Sequence, residues 1–323
     1  IEITGAITSA GNNEALVLDD GDSTSGTITL GSTASSGSIT LKGDDGISLG
    51  GNLISTVTTD GEINLTGPVT LATNITIDAD AANTDVNFTS AQTTINAASA
   101  GGQSLTIDTD AGNVAIQGAI GGNAKLSALS IDNADGAGTI EVFTIGTDSA
   151  VGVEGATLIG NANTATLTLD GADYRTTGLQ TYTTAAGDKI LVGVDDTAID
   201  FISTDTNISF VGGDLVIKDS ADTTIATQAV GATASVGNIS FGGAIHGTAG
   251  DTTTDLTVNA GTGTVSFQLI DGATTDINDI AVTGSTITLN KNVNTGTSGT
   301  VGLTGNVALD TGDIAVDTSN GGG

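Results

Sequence analysis

Residues 104–131 (SLTIDTDAGNVAIQGAIGGNAKLSALSI) and 255–282 (DLTVNAGTGTVSFQLIDGATTDINDIAV) align without a gap, at a constant offset of 151 residues. Leu105, Ile107, Val114, Ile116, Leu126, Leu129 and Ile131 fall on Leu256, Val258, Val265, Phe267, Ile277, Ile280 and Val282. Nearly everything between these positions changes. One backbone solution is therefore used twice, and buried apolar side chains define it. Internal repetition of this kind points to stacked supersecondary units before any other architecture.

The commonest local unit is a short alternating run bounded by Gly, Asn, Asp, Ser or Thr. Examples are GTITLG (26–31), GSITLKG (37–43), GEINLTG (61–67), TATLTLDG (164–171), NISFVGG (207–213) and NVALDTG (306–312). Each places apolar residues at i and i+2, the period-2 signature of a strand with one buried and one wet face. No stretch carries a 3.6-residue period. Short strands with turn residues this frequent fit a sandwich or a β-solenoid. The conserved apolar pairs, the small residues at corners and the abundance of Asn and Thr, which can stack in ladders, favour the solenoid. The strand spacing predicts coils of roughly 20–25 residues, ~13 to 16 in all, running as one segment over residues 1–323. Pro68, in TGPVTL, belongs at a corner or a strand start. Residues 17–50, rich in Gly, Ser and Asp, suggest looser coils, and 217–236, with weaker alternation, a bulge.

Composition supports a narrow layered core. Aromatics are 2% of the chain, Cys, Met and Trp are absent, and Ala, Val, Ile and Leu dominate the apolar residues. Small and β-branched side chains suit a thin space between short strands. Without cysteine there are no disulfides and no thiolate metal site. The lack of Met leads us to expect a processed product or a piece of something longer. No run of ~18 apolar residues predicts a membrane span.

The formal net charge is −31. It opposes binding to nucleic acid or an anionic membrane, so neither is expected as a partner. The acid is almost all Asp, which suits turns because its side chain bonds nearby backbone. Calcium is the cofactor these turns would suit, through oxygen ligands at short spacing. The best matches are DDGDS and GDDG, which make Asp19, Asp20, Asp22, Asp44 and Asp45 the candidate metal ligands. Neither run is an EF-hand loop or a glycine-rich nonapeptide repeat. With no further site in view, the expectation is no cofactor other than calcium.

Catalytic constellations are scarce. His246, in GGAIHG, is the single histidine, so no triad and no His-rich metal site can be built. Paired carboxylates at Asp19–Asp20–Asp22, Asp44–Asp45 and Asp195–Asp196 could serve glycoside hydrolysis in principle. A sugar groove also calls for aromatic platforms and basic residues, and the chain holds two Tyr and one Arg. Tyr174 and Arg175 are adjacent, so a strand would point them to opposite faces. No catalytic residue is assigned. Asn64, Asn74, Asn87, Asn207 and Asn238 lie in N-x-[ST] sequences, which arise readily by chance at this Asn and Thr content.

The segments ITIDADAANTDVNFTSA (75–91), 104–131, TTGLQTYTTA (176–185) and NISFGGAIHG (238–247) resemble the filamentous haemagglutinin-like repeats of giant bacterial surface proteins and of two-partner or autotransporter passengers. The resemblance implies a right-handed parallel β-helix. It implies a structural or adhesive rod at the bacterial cell surface or in the extracellular matrix, without catalysis. It is specific for architecture, because members share stacking needs and not a binding site. The alternative is a self-assembling subunit of an extracellular filament, sheath or surface layer. A carbohydrate-active β-helix enzyme ranks below both. Expected partners are further copies through the solenoid ends and other surface or matrix components.

Overall fold

The computed structural model describes the chain apart from residues 10–13, 22–25, 56–60, 80–82, 134–135, 194–197, 219–221, 229–235, 249–252, 271–276, 296–298, 311 and 319–323. Its described secondary structure is all strand, with no helix, and the strands pair in parallel as a β-solenoid. The chain divides into two compact units, Ile1–Ala165 and Thr166–Gly323.

Most turns contribute three short strands, each stacked on its equivalent one turn later; Val114–Ile120, Thr139–Ile145, Ile280–Leu289 and Val301–Leu309 run on through a corner, so one strand serves two columns. In the first unit one column runs through Thr27–Leu30, Gly46–Leu49, Val69–Leu71 and Ile95–Ala97. A second runs through Ala34–Ser36, Leu53–Ser55, Ile75–Ala79, Leu105–Thr109 and Leu129–Asn133. A third runs through Leu16–Asp19, Ile39–Lys42, Glu62–Thr66, Asp85–Phe88 and Val114–Ile120. The second unit repeats the scheme. Its columns include Asp173–Thr176, Ile199–Ser203, Thr223–Ala226 and Leu256–Asn259, then Gln180–Thr183, Ile208–Val211, Ile239–Phe241 and Thr264–Phe267, then Thr166–Leu169, Lys189–Val192, Asp214–Ile217 and Ala244–His246.

Register keeps like on like. Leu105 and Ile107 sit against Leu129 and Ile131, and Leu256 and Val258 against Ile280 and Val282. The repeat seen in the sequence is thus a pair of adjacent turns, and all fourteen of its apolar positions are buried. Phe267 and Ile116, equivalent in the two copies, are 1% and 0% exposed. Each buried Leu or Ile contributes about 1.5–3 kcal/mol of transfer free energy. The alternation leaves polar residues outside at i+1, which is why strands of three to five residues suffice.

Turn length differs from the sequence expectation. The first column of unit one advances from Ile28 to Ile47, Val69 and Ile95, so its steps run from 19 to 26 residues. In unit two the step from Thr223 to Leu256 is 33 residues. The chain therefore makes about 11 turns, fewer than the 20–25-residue spacing predicts. Strands hold register while the connections absorb the excess, so the strand pattern gave the architecture and overcounted the coils.

Within 17–50 the described strands are well packed, with Ile28, Leu30, Ile39, Leu41, Ile47 and Leu49 all buried, and 22–25 lie outside the described residues. Of the stretch 217–236, Thr223–Ala226 is an in-register strand, and 219–221 and 229–235 lie outside the described residues. Pro68 directly precedes Val69–Leu71, and its carbonyl accepts from Ile47 N–H at 2.7 Å. Gly67 before it has φ +112°, and a Cβ there would collide with the Gly43 carbonyl of the preceding turn. Only glycine serves at that corner.

Candidate functional site

The candidate cation ligands come together only in part. Asp19 ends the strand Leu16–Asp19, in register with Lys42, whose Nζ lies 3.7 Å from its carboxylate. Asp19 Oδ1 also accepts from Gly21 N–H at 2.9 Å, a local turn bond. Asp20 Oδ2 accepts from Asp44 N–H at 3.2 Å, one turn on, and Asp20 N–H donates to Lys42 O at 3.1 Å. Asp19 and Asp20 thus stack against Lys42 and Asp44 at one corner of successive turns. Asp45 N–H donates to Gly26 O at 3.0 Å, and Asp45 lines a shallow depression of about 230 Å³ with Thr27, Ser48 and Thr70. Among the described residues, no three carboxylates of this corner bring oxygens within 4.8 Å of one another. Asp22, Asp195 and Asp196 lie outside the described residues.

Elsewhere carboxylates and amides work between turns. Asn113 N–H donates to Asp85 Oδ1 at 2.7 Å, and Thr139 N–H to Asn113 Oδ1 at 2.9 Å. Asn238 N–H donates to Asn207 Oδ1 at 2.9 Å, and Thr264 N–H to Asn238 Oδ1 at 2.8 Å. Asp255 N–H donates to Asp222 Oδ1, Asp279 N–H to Asp255 Oδ1 and Thr300 N–H to Asp279 Oδ1, at 3.2, 3.0 and 2.7 Å. These residues stand just before a strand or at its first residue, where a corner opens the backbone ladder. A side-chain oxygen one turn below takes the amide there. The sequence expectation was local turn bonding; at these corners the bond runs instead from turn to turn. Of the sequon residues, Asn74, Asn207 and Asn238 belong to this set, whereas Asn64 and Asn87 lie within strands and bond each other, Asn87 Nδ2 donating to Asn64 Oδ1 at 3.1 Å.

The sequence reading missed two polar arrangements. The first is a column of like charge, Asp78, Asp108 and Asp132, stacked in register on one outward face. Its signal is the recurrence of ITID, LTID and LSID at the same place after the apolar pair. Asp132 also accepts from Asn161 Nδ2. The second is interior. Gln180 is fully buried, and its Nε2 donates to Tyr174 O and Ile202 O, both at 2.8 Å, and to Thr176 Oγ1 at 3.1 Å. Tyr182 O–H donates to Gln180 Oε1 at 3.0 Å, and Gly171 N–H donates to Tyr174 Oη at 3.0 Å. The run TTGLQTY is the sequence of this knot. Burial alone raises the Tyr182 phenol well above its ordinary pKa.

Tyr174 and Arg175 do face opposite ways. Tyr174 is in the core against Phe201, and Arg175 points outward yet is only 6% exposed. Its Nε and Nη2 reach Asp173 Oδ1 and Asp200 Oδ2, each at 2.6 Å. Breaking a buried pair of this geometry strands a charge at a cost of about 3–5 kcal/mol. The chain's one arginine therefore has a structural occupation. His246 lies within a strand, with Nε2 3.5 Å from Asp214 Oδ2.

No protein-family profile, curated protein or solved structure matches this chain.

Proposed function

We propose that this chain is a structural, adhesive scaffold at a bacterial surface or in an extracellular matrix, acting without catalysis. One observation carries the reading. The side chains from which a reactive centre would be assembled are engaged in holding turn to turn: Asp85, Asp255 and Asp279 take corner amides, Asp173 and Asp200 hold Arg175, and Asp214 faces His246. A catalytic carboxylate needs a partner group and a substrate cleft, whereas the depressions of about 230 Å³ beside Asp45 and about 390 Å³ beside Glu62 and Asp85 are open hollows of the surface. The fold is compatible with many activities and argues for none by itself. Secretion is the setting in which a hydrated, strongly anionic repeat surface of this kind serves adhesion. Among the described residues no helix is long and apolar enough to cross a membrane.

Cations enter this reading as a screening atmosphere; ordered calcium at the corner of Asp19, Asp20, Asp44 and Asp45, where no three described carboxylates converge, is the alternative that the second arm of the test separates. The test has two arms. The protein is incubated with acidic and neutral polysaccharides and assayed for new reducing ends or unsaturated products; the scaffold reading expects none, and turnover would overturn it. Thermal stability is compared in calcium and in sodium at equal ionic strength; an ordered ion adds stability that a chelator removes, and screening alone makes the two salts equivalent.

A further inference from the structure

The charge of this chain is not spread evenly over its faces. In the second unit one column consists of Gln180–Thr183, Ile208–Val211, Ile239–Phe241 and Thr264–Phe267, continued by 286–289 and 306–309 of the two long strands Ile280–Leu289 and Val301–Leu309. Its six strands read QTYT, ISFV, ISF, TVSF, TITL and NVAL and hold no ionisable side chain on the outward face. Outward stand Thr181, Ser209, Ser240, Ser266 and Thr288, in register from turn to turn. Ser240 Oγ donates to Ser209 Oγ at 3.0 Å. Beside them Val211 is 41% exposed. The other two columns carry Asp173, Arg175 and Asp200, or Lys189, Asp214 and His246. The first unit has one such column too, from Thr27–Leu30 to Ile95–Ala97, with Thr29, Ser48, Thr70 and Asn96 outward.

We infer that this uncharged Ser/Thr face of the second unit is a contact surface for a second copy of this chain, sheet against sheet. The argument is electrostatic. Two copies at −31 each repel wherever carboxylates meet. Net charge disfavours side-by-side contact in general, but the outward strand positions of this face bring no carboxylate against another. Small hydroxyl side chains and a valine leave a flat surface on which a like surface can settle with its side chains interleaved. A glycan partner is the poorer fit, since no aromatic platform stands on the face: Tyr182, Phe210, Phe241 and Phe267 all point inward.

The face spans five strand spacings of ~4.8 Å by about 13 Å of strand, or roughly 300 Å² per copy. That is well below the ~800 Å² per partner of a standard interface. The contact is therefore weak singly and gains strength when copies are arrayed. Because repulsion opposes it, it tightens with salt: the screening length falls from ~10 Å at 0.1 M to ~3 Å at 1 M.

The experiment is sedimentation equilibrium up to about 1 mM protein, in 0.1 M and 1 M NaCl, on wild type, Ser240→Asp/Ser266→Asp, Ser240→Thr, and Thr257→Asp from the neighbouring column. Melting curves confirm that each variant folds. We expect dimerisation that strengthens with salt, is weakened at least ~10-fold in the double Asp variant by like-charge apposition, and persists in Ser240→Thr and Thr257→Asp. The chain has no cysteine, so Ser240→Cys gives an unambiguous second readout; near the centre of the column it meets its own equivalent across a two-fold axis. It should form disulfide dimers about tenfold faster than Thr257→Cys. A monomer at every concentration and salt, association indifferent to the double Asp change, or a monomer held by neutral glucan only while Ser240 and Ser266 are intact would each overturn the inference. None of these outcomes touches the scaffold reading.

Discussion

Phe241 lies between Phe210 and Phe267, with ring centroids 5.3 and 5.0 Å away and planes within 2° and 6° of parallel. Phe267 ends this stack, with Phe241 as its one aromatic neighbour and Leu289 in register on the next turn. The pair gives a graded test. Phe241→Leu keeps most of the buried area and removes two stacked contacts, each worth about 0.5–1.5 kcal/mol, for a loss of about 1–3 kcal/mol. Phe267→Leu removes one and should cost about half as much. Phe241→Ala or Phe267→Ala adds a cavity and should cost about 3–5 kcal/mol. Solenoid turns contact only their neighbours, so the damage stays local. Site-resolved amide exchange is the suitable assay, because global unfolding of a repeat array is not two-state. A loss of 1–3 kcal/mol raises exchange about 5- to 150-fold in 208–211, 239–241 and 264–267, and leaves Ile28–Leu49 unchanged. Equal costs for the two Leu variants would refute the stacking argument. Uniform loss of protection through both units would refute the locality argument.

Three further outcomes follow from the same geometry. Gln180→Ala leaves Tyr174 O, Ile202 O and the Tyr182 hydroxyl without their partner and should cost about 3 kcal/mol or more in a urea midpoint analysis of the local transition. Tyr182 is neutral in the fold, and burial lifts its pKa well above that of an unfolded tyrosine. Its contribution is therefore fully present below pH ~10 and is lost as pH rises past it, by at most about 1.4 kcal/mol per pH unit; melting curves from pH 8 to 12 should be flat and then fall, and a Tyr182→Phe variant should lose that alkaline component. Asp255→Asn keeps the oxygen that takes Asp279 N–H and should change stability by under about 0.5 kcal/mol, whereas Asp255→Ala strands the amide and should cost about 1–3 kcal/mol; equal effects would mean that charge, not the hydrogen bond, matters there.

How much of this was legible in the sequence depends on the kind of residue. The apolar pairs Leu105/Ile107 and Leu256/Val258 announced their burial, because a strand has two faces and only one can be dry. Their stacking one turn apart was legible from the repeat itself. Turn length was not, because connections carry no period; the step of 33 residues from Thr223 to Leu256 has the same strand chemistry as the 24-residue step from Leu256 to Ile280. The six-membered aromatic cluster from Tyr174 to Phe267 escaped notice for a related reason: Tyr182, Phe210, Phe241 and Phe267 meet only once the irregular turns are placed. At the candidate cation corner the acidic runs were plain, but Lys42 opposite Asp19 and the Asp44 amide on Asp20 depend on register. The same holds for Asp85, Asn113 and Thr139, whose ladder joins residues far apart in the chain. Composition suggested turn chemistry for Asp, and register turned it into turn-to-turn bonding.

Amide exchange at the corners decides whether side-chain ladders hold these turns together. The amides of Thr139, Thr264 and Thr300 belong to exposed residues and donate to Asn113, Asn238 and Asp279. Measured by NMR in the native protein, they should be protected to within about tenfold of the neighbouring strand amides Ile140, Val265 and Val301. Asn113→Ala should release Thr139 alone, and Asn238→Ala should release Thr264 alone. Corner amides that exchange at the rate of an unstructured chain in the wild-type protein would contradict the ladders, and with them the scaffold reading that rests on their engagement.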